Sequence, residues 1–137
     1  MYKVEKRFTL SIGHRLSKHS GLCKNIHGHN LTILVGVKSE RLNLVDMVID
    51  FSDLKKLVNN VLDEWDHTLL LNVNDYKLKG LIESYTRVQD FPFDPTAESL
   101  AAVLFARLRE RLKGRFHGEL EYVTIYENEN SKATYCK

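Results

Sequence analysis

The chain has 137 residues, the size of one domain with little left for a second, and a domain this long buries about two-thirds of its unfolded surface without disulfides. With 20 Lys and Arg against 18 Asp and Glu, its formal charge of +2 gives no electrostatic reason for a nucleic-acid or anionic-membrane partner. No apolar run approaches the roughly 18 residues of a membrane span, and Met1 to Arg7 carries no signal-peptide core, so a cytoplasmic protein is expected.

Along the chain, Phe8, Leu10, Ile12 and His14 share one parity, which predicts a strand with these four on one face. The polar stretch Arg15 to Asn25 reads as a loop. A second strand runs from Ile26 to Lys38, with His27, His29, Leu31, Ile33, Val35 and Val37 on one face and Gly28, Asn30, Thr32, Leu34 and Gly36 on the other. Two strands joined by a loop pair most simply as antiparallel neighbours. That pairing brings His14, His27 and His29 to one place.

Leu54, Leu57, Val58, Val61, Leu62 and Trp65 recur at helical spacing, which predicts an amphipathic helix capped by Asp50 or Ser52. Residues 73–95 read as irregular and polar, with a short helix around Lys77 to Ser84. A second long helix starts at Thr96, behind Pro95, buries Ala97, Leu100, Ala101, Leu104, Phe105, Leu108 and Leu112, and ends at Gly114. Glu121 to Glu127 and Ala133 to Cys136 close the chain as two strands around a tight turn. The expected architecture is a single α+β domain over 1–137: a four-stranded antiparallel sheet with two helices packed on one face.

His27-Gly28-His29 is the strongest chemical signal. Residues i and i+2 of a strand point the same way, so both imidazoles reach one point, and His14 joins them from the neighbouring strand. Three neutral nitrogens with a fourth position open are a catalytic zinc arrangement. Cys23, four residues before His27, is either a fourth ligand that closes the site or a reactive thiol beside an open one. The second cysteine, Cys136, reads as inert, and two cysteines are too few for a disulfide scaffold. Asp66-His67 is either a carboxylate orienting an imidazole base or a pair of helix-end caps. Glu127 either ends its strand in solvent or aims a carboxylate into a pocket. Arg107, Arg109, Arg111, Lys113 and Arg115 read as a solvated helix face.

Taken together, His14, Cys23-x-x-x-His27-Gly28-His29-Asn30, Val48-Ile49-Asp50-Phe51, Asp66-His67, Pro95-Thr96-Ala97-Glu98, and Glu127 with Ala133 and Tyr135 resemble the 6-pyruvoyl- and 6-carboxy-tetrahydropterin synthase family. These matches occur in the family's order and span nearly the whole chain. The resemblance implies the tunnelling fold (T-fold), in which the sheets of three subunits join into a barrel and two rings stack as a hexamer. It implies Zn2+ on His14, His27 and His29, and a pterin substrate, 7,8-dihydroneopterin triphosphate. It makes Cys23 the base that moves side-chain protons, and His67, oriented by Asp66, a second acid/base group supplied across a subunit boundary. Glu127 becomes the anchor of the pterin ring, with Thr96 nearby. The three residues between Cys23 and His27 resemble the queuosine-pathway carboxy-tetrahydropterin synthases, which release acetaldehyde and triphosphate. The pyruvoyl branch, and a metal-stabilised assembly domain without turnover, are the alternatives. A nucleic-acid module lacks the basic stripe and aromatic platform it needs.

Overall fold

The computed structural model describes residues 1–137. In chain order its elements are β1 (Tyr2–His14), β2 (His27–Ser39), α1 (Phe51–Leu62), β3 (Thr68–Asn72), α2 (Tyr76–Ile82), β4 (Val88–Phe91), α3 (Ala97–Leu112), β5 (Glu119–Asn128) and β6 (Ser131–Cys136). The alternation in the first two strands has the expected consequence. They pair antiparallel over their full length, from Tyr2 opposite Ser39 to His14 opposite His27. Phe8, Leu10 and Ile12 on β1 and Leu31, Ile33, Val35 and Val37 on β2 are buried together, as are Val123 and Ile125 where β5 pairs antiparallel with β2.

Helices α1 and α3 supply the other half of that core. Leu54, Val58, Val61 and Leu62 of α1 meet Leu100, Ala101, Leu104, Phe105, Leu108 and Leu112 of α3 in one cluster with the sheet. Both helices start on side-chain caps that satisfy otherwise orphaned amides. The Asp50 carboxylate accepts from Ser52 N at 2.7 Å, and the Thr96 hydroxyl accepts from Ser99 N at 3.2 Å. Beyond α3, Gly114 takes a φ of 72°, a left-handed conformation that glycine adopts without steric cost.

The α+β class stands, but the four-stranded antiparallel sheet does not. The sheet has six strands in the order β4-β3-β1-β2-β5-β6, and it is mixed: β3 runs parallel to β1, and β4 parallel to β3. Thr68-Leu69-Leu70-Leu71-Asn72 carries no alternation because all five residues are buried. A strand covered on both faces reads as a continuous run, with no period to announce it. The following segment is likewise more regular than its polar composition implies. It forms a 3-10 turn (Val73–Asp75), α2 and β4, with the short helix within a residue or two of its expected place. Trp65, fully buried just beyond α1, packs edge-on against Phe91 of β4 with ring centroids 5.4 Å apart. That contact ties the added strands to the core.

Leu70 has no solvent exposure and belongs to the main cluster. Leu70→Ala is therefore expected to lower the unfolding free energy by about 2–5 kcal/mol, the range for a cavity left in a packed interior. Urea denaturation checks this; a change within about 0.5 kcal/mol, typical of a surface loop, would refute β3 as a core strand.

Candidate metal and active site

The β1–β2 register places His14 directly across from His27, with His29 two residues further along the same face of β2. A one-residue shift would turn both β2 histidines to the opposite side. Gly28 lets the strands close up at this end, since a Cβ there would stand 3.1 Å from the Ile12 carbonyl oxygen. The three rings stand edge to face, with centroids 4.6–5.1 Å apart. One nitrogen from each lies within 4.8 Å of the other two, so the three could hold a metal ion.

Hydrogen bonds on the far side of two rings decide what they present to the centre. His14 Nδ1 lies 2.8 Å from the Pro95 carbonyl oxygen, and His27 Nδ1 lies 2.7 Å from that of Asn25. A carbonyl only accepts, so each Nδ1 carries the proton and each neutral ring keeps its Nε2 lone pair. These two Nε2 atoms face each other at 3.0 Å. Two lone pairs at that distance repel unless a cation lies between them. The separation is close to the roughly 3.3 Å that two nitrogens take on a tetrahedral ion with bonds of about 2.0–2.1 Å. His14 is almost wholly buried, and burial is the main cause that holds its pKa below the usual histidine value. The Pro95 carbonyl opposes that lowering, His27 adds to it, and the Glu127 charge opposes it. A neutral imidazole is the form that ligates. The donor set fits a divalent metal.

Cys23 lies in the hairpin loop whose two ends are His14 and His27, on a single 3-10 turn, Leu22–Lys24. Its sulfur is not among the atoms that group with the three histidine nitrogens. The thiol is half-buried and free.

Asp66 and His67 sit at the start of β3 and bracket one residue of β1. Asp66 Oδ1 accepts from Ser11 N at 3.0 Å, and His67 N donates to Ser11 O at 2.7 Å. The carboxylate thus caps a strand edge, in place of the helix end read from the sequence. The Ser11 amide is the main reason its pKa lies below the ordinary aspartate value, opposed by burial and assisted by His67. Asp66 Oδ2 accepts from His67 Nδ1 at 2.9 Å, which leaves Nε2 as the free ring nitrogen on a side chain about four-fifths exposed. His67 has a φ of 54°, an uncommon conformation for a residue with a Cβ. The dyad is assembled, but not at the histidines. Ser11 lies three residues back along β1, roughly 10 Å at the rise of a strand, and has the opposite parity.

Glu127 lies near the end of β5, where the pairing with β6 is irregular, and its charge acts on His14. Thr96 follows Pro95, but its hydroxyl accepts from Ser99 N and donates to Ser99 Oγ at 3.0 Å. Its evident work is to start α3. The carbonyls of Pro95 and Asn25 were beyond sequence reasoning, because any residue supplies the same carbonyl. Arg15 and Asp94, which hold the Cys23 loop, were also missed. The one available signal was a lone arginine directly after a candidate ligand.

Comparison with known proteins agrees with this geometry. A family-wide sequence profile described as 6-pyruvoyl tetrahydropterin synthase matches residues 3–137. The 6-carboxy-5,6,7,8-tetrahydropterin synthase of Aquifex aeolicus is 32% identical, covering 98% of this chain and 97% of its own. The enzyme of the same name from Haemophilus influenzae is 34% identical over 80% of this chain and 83% of its own. Among solved structures, an uncharacterised protein of Wolinella succinogenes superposes with a TM-score of 0.86 at 21% identity, over 98% and 97% of the two chains, a likeness of fold alone. The 6-pyruvoyl tetrahydropterin synthase of Caenorhabditis elegans follows with a TM-score of 0.74 and 26% identity, over 99% and 95%. The chain belongs to the 6-pyruvoyl tetrahydropterin synthase family.

Proposed function

We propose that the protein is a zinc-dependent 6-carboxy-5,6,7,8-tetrahydropterin synthase. It takes 7,8-dihydroneopterin triphosphate and water to 6-carboxy-5,6,7,8-tetrahydropterin, acetaldehyde and triphosphate. The observation that carries this reading is the trio of histidines with two Nε2 lone pairs turned inward by backbone carbonyls. The carboxy-tetrahydropterin synthases at 30% identity or more over nearly the whole chain support the choice of branch.

His14, His27 and His29 would hold the zinc, which when bound supplies Lewis acidity at the substrate's side-chain hydroxyls. Cys23, on the loop whose two ends are His14 and His27, would take a proton from the activated side chain. His67 receives or returns the second proton at Nε2, while Asp66 fixes the ring through Nδ1. Glu127, whose charge acts on His14, would accept the N–H donors of the pterin ring, with Thr96, next to Pro95, as a second substrate-binding residue. The dyad is held at Ser11, three residues before His14 on β1, and on this reading a second chain completes the site. A homo-oligomer, a trimer or a hexamer built of two trimers, brings a neighbour's dyad to each set of histidines.

Zinc-loaded protein incubated with 7,8-dihydroneopterin triphosphate is expected to release acetaldehyde and triphosphate in equal amounts, to stop on chelation, and to resume when zinc is returned. A pyruvoyl pterin without acetaldehyde would establish the sister reaction. No turnover with metal bound would leave a metal-stabilised assembly domain. Cys23→Ala should lower kcat by about 10²–10⁴-fold, the range for a lost general base, with metal content unchanged; loss of metal would make Cys23 a ligand. Mixing inactive Cys23→Ala and His67→Ala chains after partial denaturation should recover activity if sites are shared between subunits. Mixed assemblies that stay inactive would place both groups in one chain's site.

A further inference from the structure

We propose that Asp94 and Arg15 are positioning residues that set the Cys23 thiol against the three histidines by clamping the loop that carries it. The proposal rests on the reading of Cys23 as the catalytic base. The loop from Arg15 to Ile26 has one 3-10 turn and no buried residue in it. Apolar packing at that turn does not hold it in place. Polar contacts do, and they converge on two points.

The first is Asp94, a carboxylate with 8% of its surface exposed. Its Oδ1 accepts from Ser17 Oγ at 2.6 Å and from Asn72 Nδ2 at 3.1 Å, and its Oδ2 accepts from Lys18 N at 2.8 Å. Two of these donors belong to the loop and the third is the last residue of β3. The next residue, Pro95, gives its carbonyl to His14 Nδ1. Successive residues of one short segment therefore grip the thiol's loop and a metal ligand. That segment is stiff: proline fixes its own φ, Thr96 N donates to Asp94 O at 2.8 Å, and α3 begins immediately after.

The second point is Arg15. Its Nε donates to Lys24 O at 2.9 Å, and its guanidinium pairs with Asp75 at the end of the 3-10 turn after β3. Leu16 N donates to Cys23 O at 2.9 Å. The carbonyl of Cys23 and that of the residue after it are thus held by the first two residues of the loop. Neither Asp94 nor Arg15 needs to touch substrate for this. Their contribution is distance and orientation, and a displacement of about 1 Å in such a group costs up to about 10²-fold in rate.

The test uses full-length, metal-loaded protein carrying Cys136→Ser, so that iodoacetamide reports on Cys23 alone. Asp94→Asn keeps the shape and removes the charge, Arg15→Met removes both of that residue's contacts, and Ser17→Ala deletes one donor with little risk to folding. In Asp94→Asn and Arg15→Met, Cys23 alkylation is expected to accelerate by about threefold or more as the thiol becomes more accessible. In both, kcat should fall about 10–100-fold with KM within about threefold, and metal content and melting temperature near those of the parent. Ser17→Ala should move the same way by less, and Arg15→Lys should recover part of what Arg15→Met loses. Alkylation rate and kcat within about twofold of the parent in folded Asp94→Asn and Ser17→Ala would overturn the proposal. Activity that falls only in step with lost metal or lost folded protein would overturn it too. If Cys23→Ala keeps full turnover, the reading of Cys23 as the base fails, and the alkylation rates still decide whether the clamp exists.

Discussion

The pairing of His14 with His27 across the end of β1 and β2 is the constraint on which the rest of the site depends. Thirteen residues of each strand are in register, and the buried face of that ladder is packed from Phe8 and Val37 up to Ile12 and Leu31. A slip of one residue would bury Thr32 and Leu34 in place of Ile33 and Val35. The three histidines therefore need no local device to bring them together, because the hydrophobic core that sets the register also sets their meeting. The helices act on the same point from the other side. They cover the core face, and the segment leading into α3 supplies the carbonyl that orients His14.

Two kinds of hydrogen bond divide the work around this centre. Backbone carbonyls of Pro95 and Asn25 fix the tautomers of His14 and His27, which sets the direction in which their Nε2 lone pairs point. Side chains of Asp94 and Arg15 fix the loop, which sets where the thiol lies. Both sets meet at the junction of the loop after β1 with the segment before α3. A carboxylate as dry as Asp94 is stable there only because its donors outweigh burial: burial pushes its pKa up, yet the hydrogen bonds from Ser17, Lys18 and Asn72 hold it below the usual aspartate value. A single polar residue thereby gives order to a stretch that composition alone marks as loop.

How much of this could be read from the sequence follows from which signals are periodic. Strand parity on Phe8 to His14 and on His27 to Val37 was enough to place three histidines on one face, and the helical spacing of Leu54 to Trp65 and of Leu100 to Leu112 was enough to place two helices. The failures have one physical origin. Thr68 to Asn72 is buried on both faces, so its side chains had no polar partner to alternate with. Its short partner Val88-Gln89-Asp90-Phe91 shows no clear period either. Sheet order was beyond reach for the same reason, since parallel pairing to β1 depends on contacts far apart in sequence. The Asp66-His67 pair is legible in the sequence as a carboxylate beside an imidazole, but the amide that Asp66 caps is not. Asp66 faces a strand amide of Ser11, and nothing near it in sequence identifies that partner.

The separation of the dyad from the histidines gives the added strands a further significance. His67 is placed by its backbone bond to Ser11, the residue before Ile12, where β3 joins the sheet. The segment leading into the parallel strand thus fixes Asp66 and His67 against the backbone of β1, three residues from His14. The sheet ends in β4 on one side and β6 on the other, and each carries a row of backbone groups without a partner inside this chain. Edges of this kind invite pairing with another sheet. An assembly formed through them would bury those groups and bring one chain's dyad toward another's histidines. Under the proposed function β3 and β4 would then do more than enlarge the core: the turn that enters β3 would carry the part of the site that a chain lends to its neighbour.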